Sequence, residues 1–124
     1  MEMTLNEYQD KAMTTCMDTC ENFSYMMLNL VGEVGELASK VAKDIRRGTA
    51  TIEHSHLNFA SLADLEMKRG AQGQELGDIL WMLAGLAKVY GYSLEDIARM
   101  NLEKLAARKQ AGTIDGNGDG IYDR

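Results

Sequence analysis

Four carboxylates in two pairs are the residues whose types and spacing best suit chemistry. Glu33 and Glu36 lie three residues apart in the segment LVGEVGEL, and Glu75 and Asp78 repeat this spacing in ELGDIL. Residues three apart on an α-helix project from the same side, about 60° from each other. Each acid also comes one residue before an apolar residue of an expected buried stripe. We therefore expect both pairs to flank the protein core at the same angle.

Carboxylates gathered at a partly desolvated seam repel one another and lose hydration. Protonation, ion pairs with Lys or Arg, or a bound divalent cation would each relieve the repulsion. Mg²⁺ and Mn²⁺ prefer carboxylate oxygens, keep several waters and leave positions for substrate phosphates. The spacing on two helices is well suited to such a cation. For the first pair, a solvated face with salt bridges to Lys40 and Lys43 is the alternative.

Glycines adjoin three of the four acids, at Gly32, Gly35 and Gly77. Glycine inside a helix costs about 1 kcal/mol relative to alanine. Its presence beside the acids therefore predicts either a close approach of two helices or room for a ligand.

The composition narrows the class of protein. The chain has 124 residues and a formal net charge of -6, and this length predicts a single domain over residues 1–124. The negative charge argues against binding a nucleic acid polymer through its phosphates. No apolar run approaches the ~18 residues of a membrane span, and the N-terminal residues lack the order of a signal peptide. We therefore predict a cytoplasmic protein with no membrane partner.

Apolar residues at helical spacing, together with the absence of proline, predict an all-α fold. Helices are expected over residues 4–23, 25–47, 72–90 and 93–110. The last helix is expected to begin with a capping box of Ser93 and Asp96, and Gly48 to end the second. Amphipathic helices in a short chain often finish burying themselves by association. We predict a four-helix bundle completed by oligomerisation.

The remaining segments, 49–72 and 111–124, are less regular. The first is expected to be a connecting segment with one short helix at about 60–68, ending near Gly70. The second is a Gly-rich C-terminal tail. Its DGNGDG segment imitates the start of a calcium loop but lacks the closing glutamate, so we favour a turn that closes over a ligand. The inner face of the third helix is expected to comprise Leu76, Leu80, Leu83, Ala87 and Tyr90.

Three stretches of the sequence carry a family resemblance. LVGEVGEL, ELGDILWML and NLEKLAARKQAGTIDGNGD resemble the MazG-like members of the all-α nucleoside triphosphate pyrophosphohydrolase superfamily. The most specific part is the order E-x-x-E, then E-x-x-D followed by Trp, then N-x-x-K. The resemblance implies helical homodimers or homotetramers that use magnesium. It also implies cleavage of nucleoside triphosphates between the α and β phosphates, which gives the monophosphate and pyrophosphate.

The resemblance assigns the metal site to the two acidic pairs. The residues that match the metal-binding motif are Glu33, Glu36, Glu75 and Asp78. An acid not fully committed to metal would accept a proton from the attacking water, and both Glu36 and Glu75 are candidates.

The resemblance also suggests substrate contacts. Asn101 and Lys104 match polar positions near the nucleotide and its phosphates, and Lys40 and Arg108 are weaker candidates for phosphate contact. Trp81 is either a core residue or part of a wall that contacts the base.

Other interpretations of the sequence remain. The connection between Glu36 and Glu75 is longer than in compact members of the superfamily, and it is either a lid that helps select the base or a plain surface connection. One alternative function is a non-catalytic helical interaction module. Another is a phosphoribosyl-ATP pyrophosphohydrolase of the same superfamily.

Overall fold

The computed structural model describes residues 2–112, which form four α-helices and one β-hairpin. In chain order the elements are α1 (Leu5–Met13), a 3₁₀ turn (Asp18–Cys20), α2 (Phe23–Arg46), β1 (Ala50–Glu53), β2 (His56–Phe59), α3 (Leu62–Val89) and α4 (Leu94–Ala111). The fold is mostly helical, as the sequence predicts, with the small two-stranded sheet as an addition. The tail over residues 113–124, including the calcium-like segment, lies outside the described residues.

Each α-helix begins at a polar residue whose side chain accepts a hydrogen bond from the backbone N–H three residues later. These N-cap residues are Thr4, Asn22, Ser61 and Ser93. The predicted capping box is confirmed, because Ser93 and Asp96 each bond the backbone N–H of the other. Gly48 follows α2 with a φ of 75°, which permits the chain to turn away there.

The hairpin occupies the segment that connects α2 to α3. Its strands are antiparallel, with Ala50 opposite Phe59 and Glu53 opposite His56. His54 and Ser55 form the turn with φ values of 52° and 66°. Positive φ at both turn residues is the conformation that matches the twist of paired strands.

Two predictions of helix bounds were wrong. The first helix ends at Met13 instead of continuing to residue 23, and the chain then makes a separate 3₁₀ turn. The short helix expected at about 60–68 is the beginning of α3, which starts at Leu62 and passes through Gly70 without a break. A single glycine costs about 1 kcal/mol, which strong helix formers on both sides can offset.

The core lies where α1, α3 and α4 meet. Met13, Ala84, Ala87 and Leu94 form a buried cluster, against which Trp81 packs. Of the described residues, no Val, Ile or Phe is fully buried. No helix among residues 2–112 is long and apolar enough to cross a membrane.

The predicted inner face of α3 was only partly right. Ala87 is buried and Leu80 is half-buried against the core, but Leu76 is 56% exposed and Tyr90 is 61% exposed; Leu83 is exposed as well. Apolar residues lie on several sides of α3, so their periodicity does not select one face. The buried residues of α3 are Met82, Ala84, Gly85 and Ala87.

Gln9 fixes α1 against the rest of the chain. Its buried amide Nε2 donates to the carbonyl oxygens of Ala84 at 3.1 Å and Tyr92 at 3.2 Å. Its Oε1 accepts from the backbone N–H of Leu94 at 3.0 Å. One buried side chain therefore satisfies backbone groups near the end of α3 and the start of α4.

Candidate functional site

Three carboxylates converge between α2 and α3. Glu33 lies on α2, and Glu75 and Asp78 lie on α3. One oxygen from each lies within 4.8 Å of the others. We call Glu33, Glu75 and Asp78 the acidic triad. Three hard oxygen donors at this separation fit a divalent cation such as Mg²⁺.

Glu36 does not belong to the acidic triad. It lies one turn further along α2, is exposed and lines the cavity next to the triad. The structure thus brings together three of the four acids of the sequence motif and places the fourth beside them.

The triad shows the electrostatic cost of gathering acids. Burial raises the pKa of Glu33, and the charges of Asp78, Glu75 and Glu36 raise it further. Within the cluster, Glu75 also pairs with Lys40, with 3.2 Å between Oε1 and Nζ. Partial protonation and an ion pair are two of the three ways to relieve repulsion, and a bound cation is the third.

Tyr8 of α1 lies within electrostatic range of Asp78 of the triad, a proximity that no sequence pattern predicted. Burial raises the pKa of its phenol, and the negative charge of Asp78 adds to that effect. The phenol therefore stays protonated and can donate a hydrogen bond at neutral pH. Tyr8 is spaced as a core residue of α1, so the sequence did not indicate that it lies near Asp78.

The glycines beside the acids leave open space. A Cβ atom added at Gly35 or Gly77 would meet nothing within 4 Å, and one added at Gly32 would meet only Asn29 Oδ1 at 3.5 Å. Among the described residues, these glycines do not serve a close approach of helices. Of the two predictions for them, room for a ligand is the one compatible with this geometry.

A cavity of about 290 Å³ opens beside the triad, between the C-terminal half of α2 and the first half of α3. Its charged lining residues are Glu36, Lys40, Lys43, Asp44, Arg47 and Lys68. We call it the basic cavity, because cations outnumber carboxylates in its lining. Lys68 comes from the segment that the sequence predicted to be a connection, so no sequence pattern indicated its presence here.

Asp44 is the buried anchor of the basic cavity. Its side chain pairs with Lys68 at 3.1 Å, accepts from Thr49 Oγ1 at 3.3 Å and accepts from Gln72 Nε2 at 3.4 Å. Only 4% of this residue is exposed. Asp44 lies two turns after Leu37 on the buried stripe of α2, and an acid at such a position was the signal that could have revealed it.

Two of the predicted substrate contacts on α4 line a cavity other than the basic cavity. Asn101 and Lys104 line a different cavity, of about 370 Å³, together with Met100 and Glu103. Arg108 is half-buried on the same helix. None of the residues that line this second cavity belongs to the acidic triad.

Trp81 occupies a structural position in this chain. Its indole Nε1 donates to the carbonyl oxygen of Ala12 at 3.1 Å and to Thr15 Oγ1 at 3.0 Å. The ring packs against the core cluster. Of the two interpretations of Trp81, the core residue is the one that these contacts favour.

Long helices that gather carboxylates across a shared seam define a helical domain suited to a divalent cation. The family model of the MazG nucleotide pyrophosphohydrolase domain matches residues 21–113, and the chain belongs to this family. The matched range contains α2, the hairpin, α3 and α4, and it includes the acidic triad. The resemblance drawn from the sequence is therefore confirmed.

A relative of the chain is known from a bacteriophage. The chain is 37% identical over 102 residues to the Gene 37 protein of Mycobacterium phage L5, a match that covers 82% of this chain and 79% of that protein. No solved structure matches the chain.

Proposed function

We propose that the chain is a magnesium-dependent nucleoside triphosphate pyrophosphohydrolase. It cleaves ribo- or deoxyribonucleoside triphosphates between the α and β phosphates and releases the monophosphate and pyrophosphate. The observation that carries this proposal is the convergence of Glu33, Glu75 and Asp78 in a chain of the MazG family.

The acidic triad is the proposed metal site. Glu33, Glu75 and Asp78 would hold Mg²⁺, or Mn²⁺ in its place, through carboxylate oxygens. A bound cation would neutralise phosphate charge and make a bound water more acidic. Burial raises the pKa of Glu33 and the neighbouring carboxylates raise it further, and a bound cation would offset the repulsion among them.

Glu36 is the proposed proton acceptor. It lies outside the triad and is exposed to the neighbouring cavity, so its carboxylate is not committed to the metal. Glu75, the other candidate, already pairs with Lys40 and contributes to the triad. Glu36 can therefore accept the proton of a water that attacks the substrate.

The remaining assignments concern the nucleotide. Asn101 and Lys104 share a cavity on α4 and are proposed to contact the nucleotide, and Arg108 is proposed to contact a phosphate. Lys40, at the border of the triad, is proposed to contact a phosphate as well.

We also propose that the protein works as a homodimer or homotetramer. Large apolar side chains are exposed on α2 and α3, and Leu28 and Leu62 are more than 70% exposed. A second group of apolar side chains lines a groove between α3 and α4, formed by Leu83, Leu86, Ala87, Tyr90, Leu94 and Ile97. Exposed apolar surface of this extent is typical of an interface. Sedimentation equilibrium tests the proposal, and a monomer at micromolar concentration contradicts it.

The reaction is tested by incubating the protein with Mg²⁺ and each nucleoside triphosphate. Pyrophosphate and orthophosphate are measured separately. Pyrophosphate with an equal amount of monophosphate is the expected result, and orthophosphate alone contradicts cleavage between the α and β phosphates. If folded protein releases neither product, the non-catalytic interaction module is favoured. Phosphoribosyl-ATP in the same assay tests the alternative within the superfamily.

A further inference from the structure

We propose that the basic cavity binds the two terminal phosphates of the substrate and then the pyrophosphate product. This inference rests on the proposed function and names the residues that hold the leaving group: Lys43, Arg47 and Lys68, together with Lys40 at the border of the triad. Apart from Lys40, none of these residues was a predicted substrate contact.

The charge of the cavity supports an anionic ligand. Four cations and two carboxylates line it, although the whole chain carries a formal net charge of -6. Lys40 and Lys68 already pair with Glu75 and Asp44. Within residues 2–112, Lys43 and Arg47 make no salt bridge and are exposed to solvent. Their charges are therefore available to an incoming phosphate.

One cation of the cavity is held in place before any ligand binds. Asp44 is buried and binds Lys68, while Thr49 and Gln72 hold the same carboxylate. A lysine fixed in this way loses less conformational freedom when it meets a phosphate. Asp44 is thus a positioning residue that acts through Lys68.

The position and the volume of the basic cavity both suit the terminal phosphates of a nucleotide whose α-phosphate lies at the acidic triad. Lys40 lines it and also pairs with Glu75, so the cavity adjoins the acidic triad directly. Its volume of about 290 Å³ is just below the range of ~300–1,000 Å³ that is typical of sites for organic ligands. This volume accommodates two phosphates, and the charge of the lining residues favours them over a neutral nucleoside.

The chemistry of the proposed cleavage requires positive charge at this position. The oxygen of water bonds to the α-phosphorus while the bond from that phosphorus to the α–β bridging oxygen breaks. The electron pair of the broken bond leaves with the pyrophosphate, and the proton of the water goes to Glu36. Lys43, Arg47 and Lys68 would stabilise the negative charge that develops on the leaving group.

The test uses a matched pair of arginines at the end of α2. Arg47 lines the basic cavity, whereas the neighbouring Arg46 is exposed and does not. Inorganic pyrophosphate is titrated into the protein by calorimetry, with and without Mg²⁺. The double variant Lys43→Gln/Arg47→Gln is expected to bind it about tenfold more weakly or worse. Arg46→Gln is expected to bind it as the wild type does.

Each outcome separates this inference from the proposed function. Equal pyrophosphate affinity in the wild type and the double variant overturns the inference, even if the wild type hydrolyses nucleotides. Weaker binding in the double variant supports the cavity assignment, even if no nucleotide is hydrolysed and the proposed function fails. Nucleoside monophosphate serves as the control ligand, and its affinity is expected to be unchanged in the double variant. An equal loss of monophosphate affinity contradicts the assignment to the terminal phosphates.

Discussion

Lys40 on α2 and Glu75 on α3 form an ion pair, with 3.2 Å between Nζ and Oε1. The pair lies at the border between the acidic triad and the basic cavity, since Glu75 belongs to the first and Lys40 lines the second. It therefore joins the proposed metal site to the proposed site of the terminal phosphates.

Replacing Lys40 is expected to strengthen metal binding. Lys40→Gln removes the positive charge beside Glu75 that competes with a cation for the carboxylate, so Mg²⁺ affinity rises in calorimetric titration. The free energy of unfolding of the metal-free protein, measured in EDTA, falls by less than about 1 kcal/mol, because the lysine is partly exposed. Lys109→Gln, on the exposed side of α4, is the control. Weaker Mg²⁺ binding by Lys40→Gln contradicts the proposal that Lys40 and Mg²⁺ compete for the Glu75 carboxylate.

Replacing a member of the triad is expected to abolish stabilisation by metal. Asp78→Asn and Glu75→Gln each remove one of three converging carboxylates, so Mg²⁺ affinity falls by at least about tenfold. Glu36→Gln is expected to retain Mg²⁺ affinity but to lose turnover, because Glu36 lies outside the triad. The thermal unfolding temperature with and without Mg²⁺ reports binding without any assay of activity. An equal loss of Mg²⁺ affinity in Glu36→Gln makes the three-acid assignment wrong.

The stability of the metal-free protein is expected to fall as pH rises above the ordinary Glu33 value of 4.5. Burial and neighbouring carboxylates raise the pKa of Glu33 in the folded chain. The folded state thus binds the proton more tightly than the unfolded state does, and this contribution is lost as pH rises through the raised pKa. Urea unfolding in EDTA between pH 4 and pH 8 measures it.

The control for this pH dependence is a variant that removes one negative charge at a different, exposed position. Glu33→Gln is expected to flatten the decline, whereas Glu53→Gln, on the exposed hairpin, is expected to preserve it. Identical pH profiles for the two variants contradict a special contribution from Glu33.

Replacing Gln9 is expected to destabilise the fold strongly. Gln9→Ala leaves the backbone groups of Ala84, Tyr92 and Leu94 without this partner in a largely buried place, at a cost of about 2–3 kcal/mol. Gln74→Ala, at an exposed position of α3, is the control and is expected to change stability by less than ~0.5 kcal/mol. Urea denaturation compares the two variants, and equal midpoints make the proposed role of Gln9 wrong.

Gly85→Ala is expected to destabilise the fold. A Cβ atom at this position would overlap the sulfur and terminal carbon of Met26, which is fully buried, so Gly85→Ala costs about 1–3 kcal/mol. Gly70→Ala, where a Cβ meets nothing within 4 Å, is expected to stabilise α3 by up to about 1 kcal/mol. Urea denaturation measures the unfolding free energy of both variants. Changes of the same sign contradict the prediction.

Local patterns in the sequence were sufficient to predict several features of the structure. The bounds of α2 and α4 agree closely with the predicted ones, because the terminator Gly48, the cap Ser93 and the apolar spacing each act within one helix. The three-residue spacing within each acidic pair placed its members on one side of one helix for the same reason. The ordered motifs were also sufficient to identify the family.

Only the tertiary structure decided which residues meet. Helical periodicity fixes the angle of a side chain on its own helix, but it does not fix how far two helices rotate and slide against each other. That relative placement of α2 and α3 brings Glu33 to Glu75 and Asp78 and leaves Glu36 beside the cavity. It likewise brings Lys68 to Asp44. The sequence alone thus determined the acids and their helices, and packing determined the acidic triad and the basic cavity.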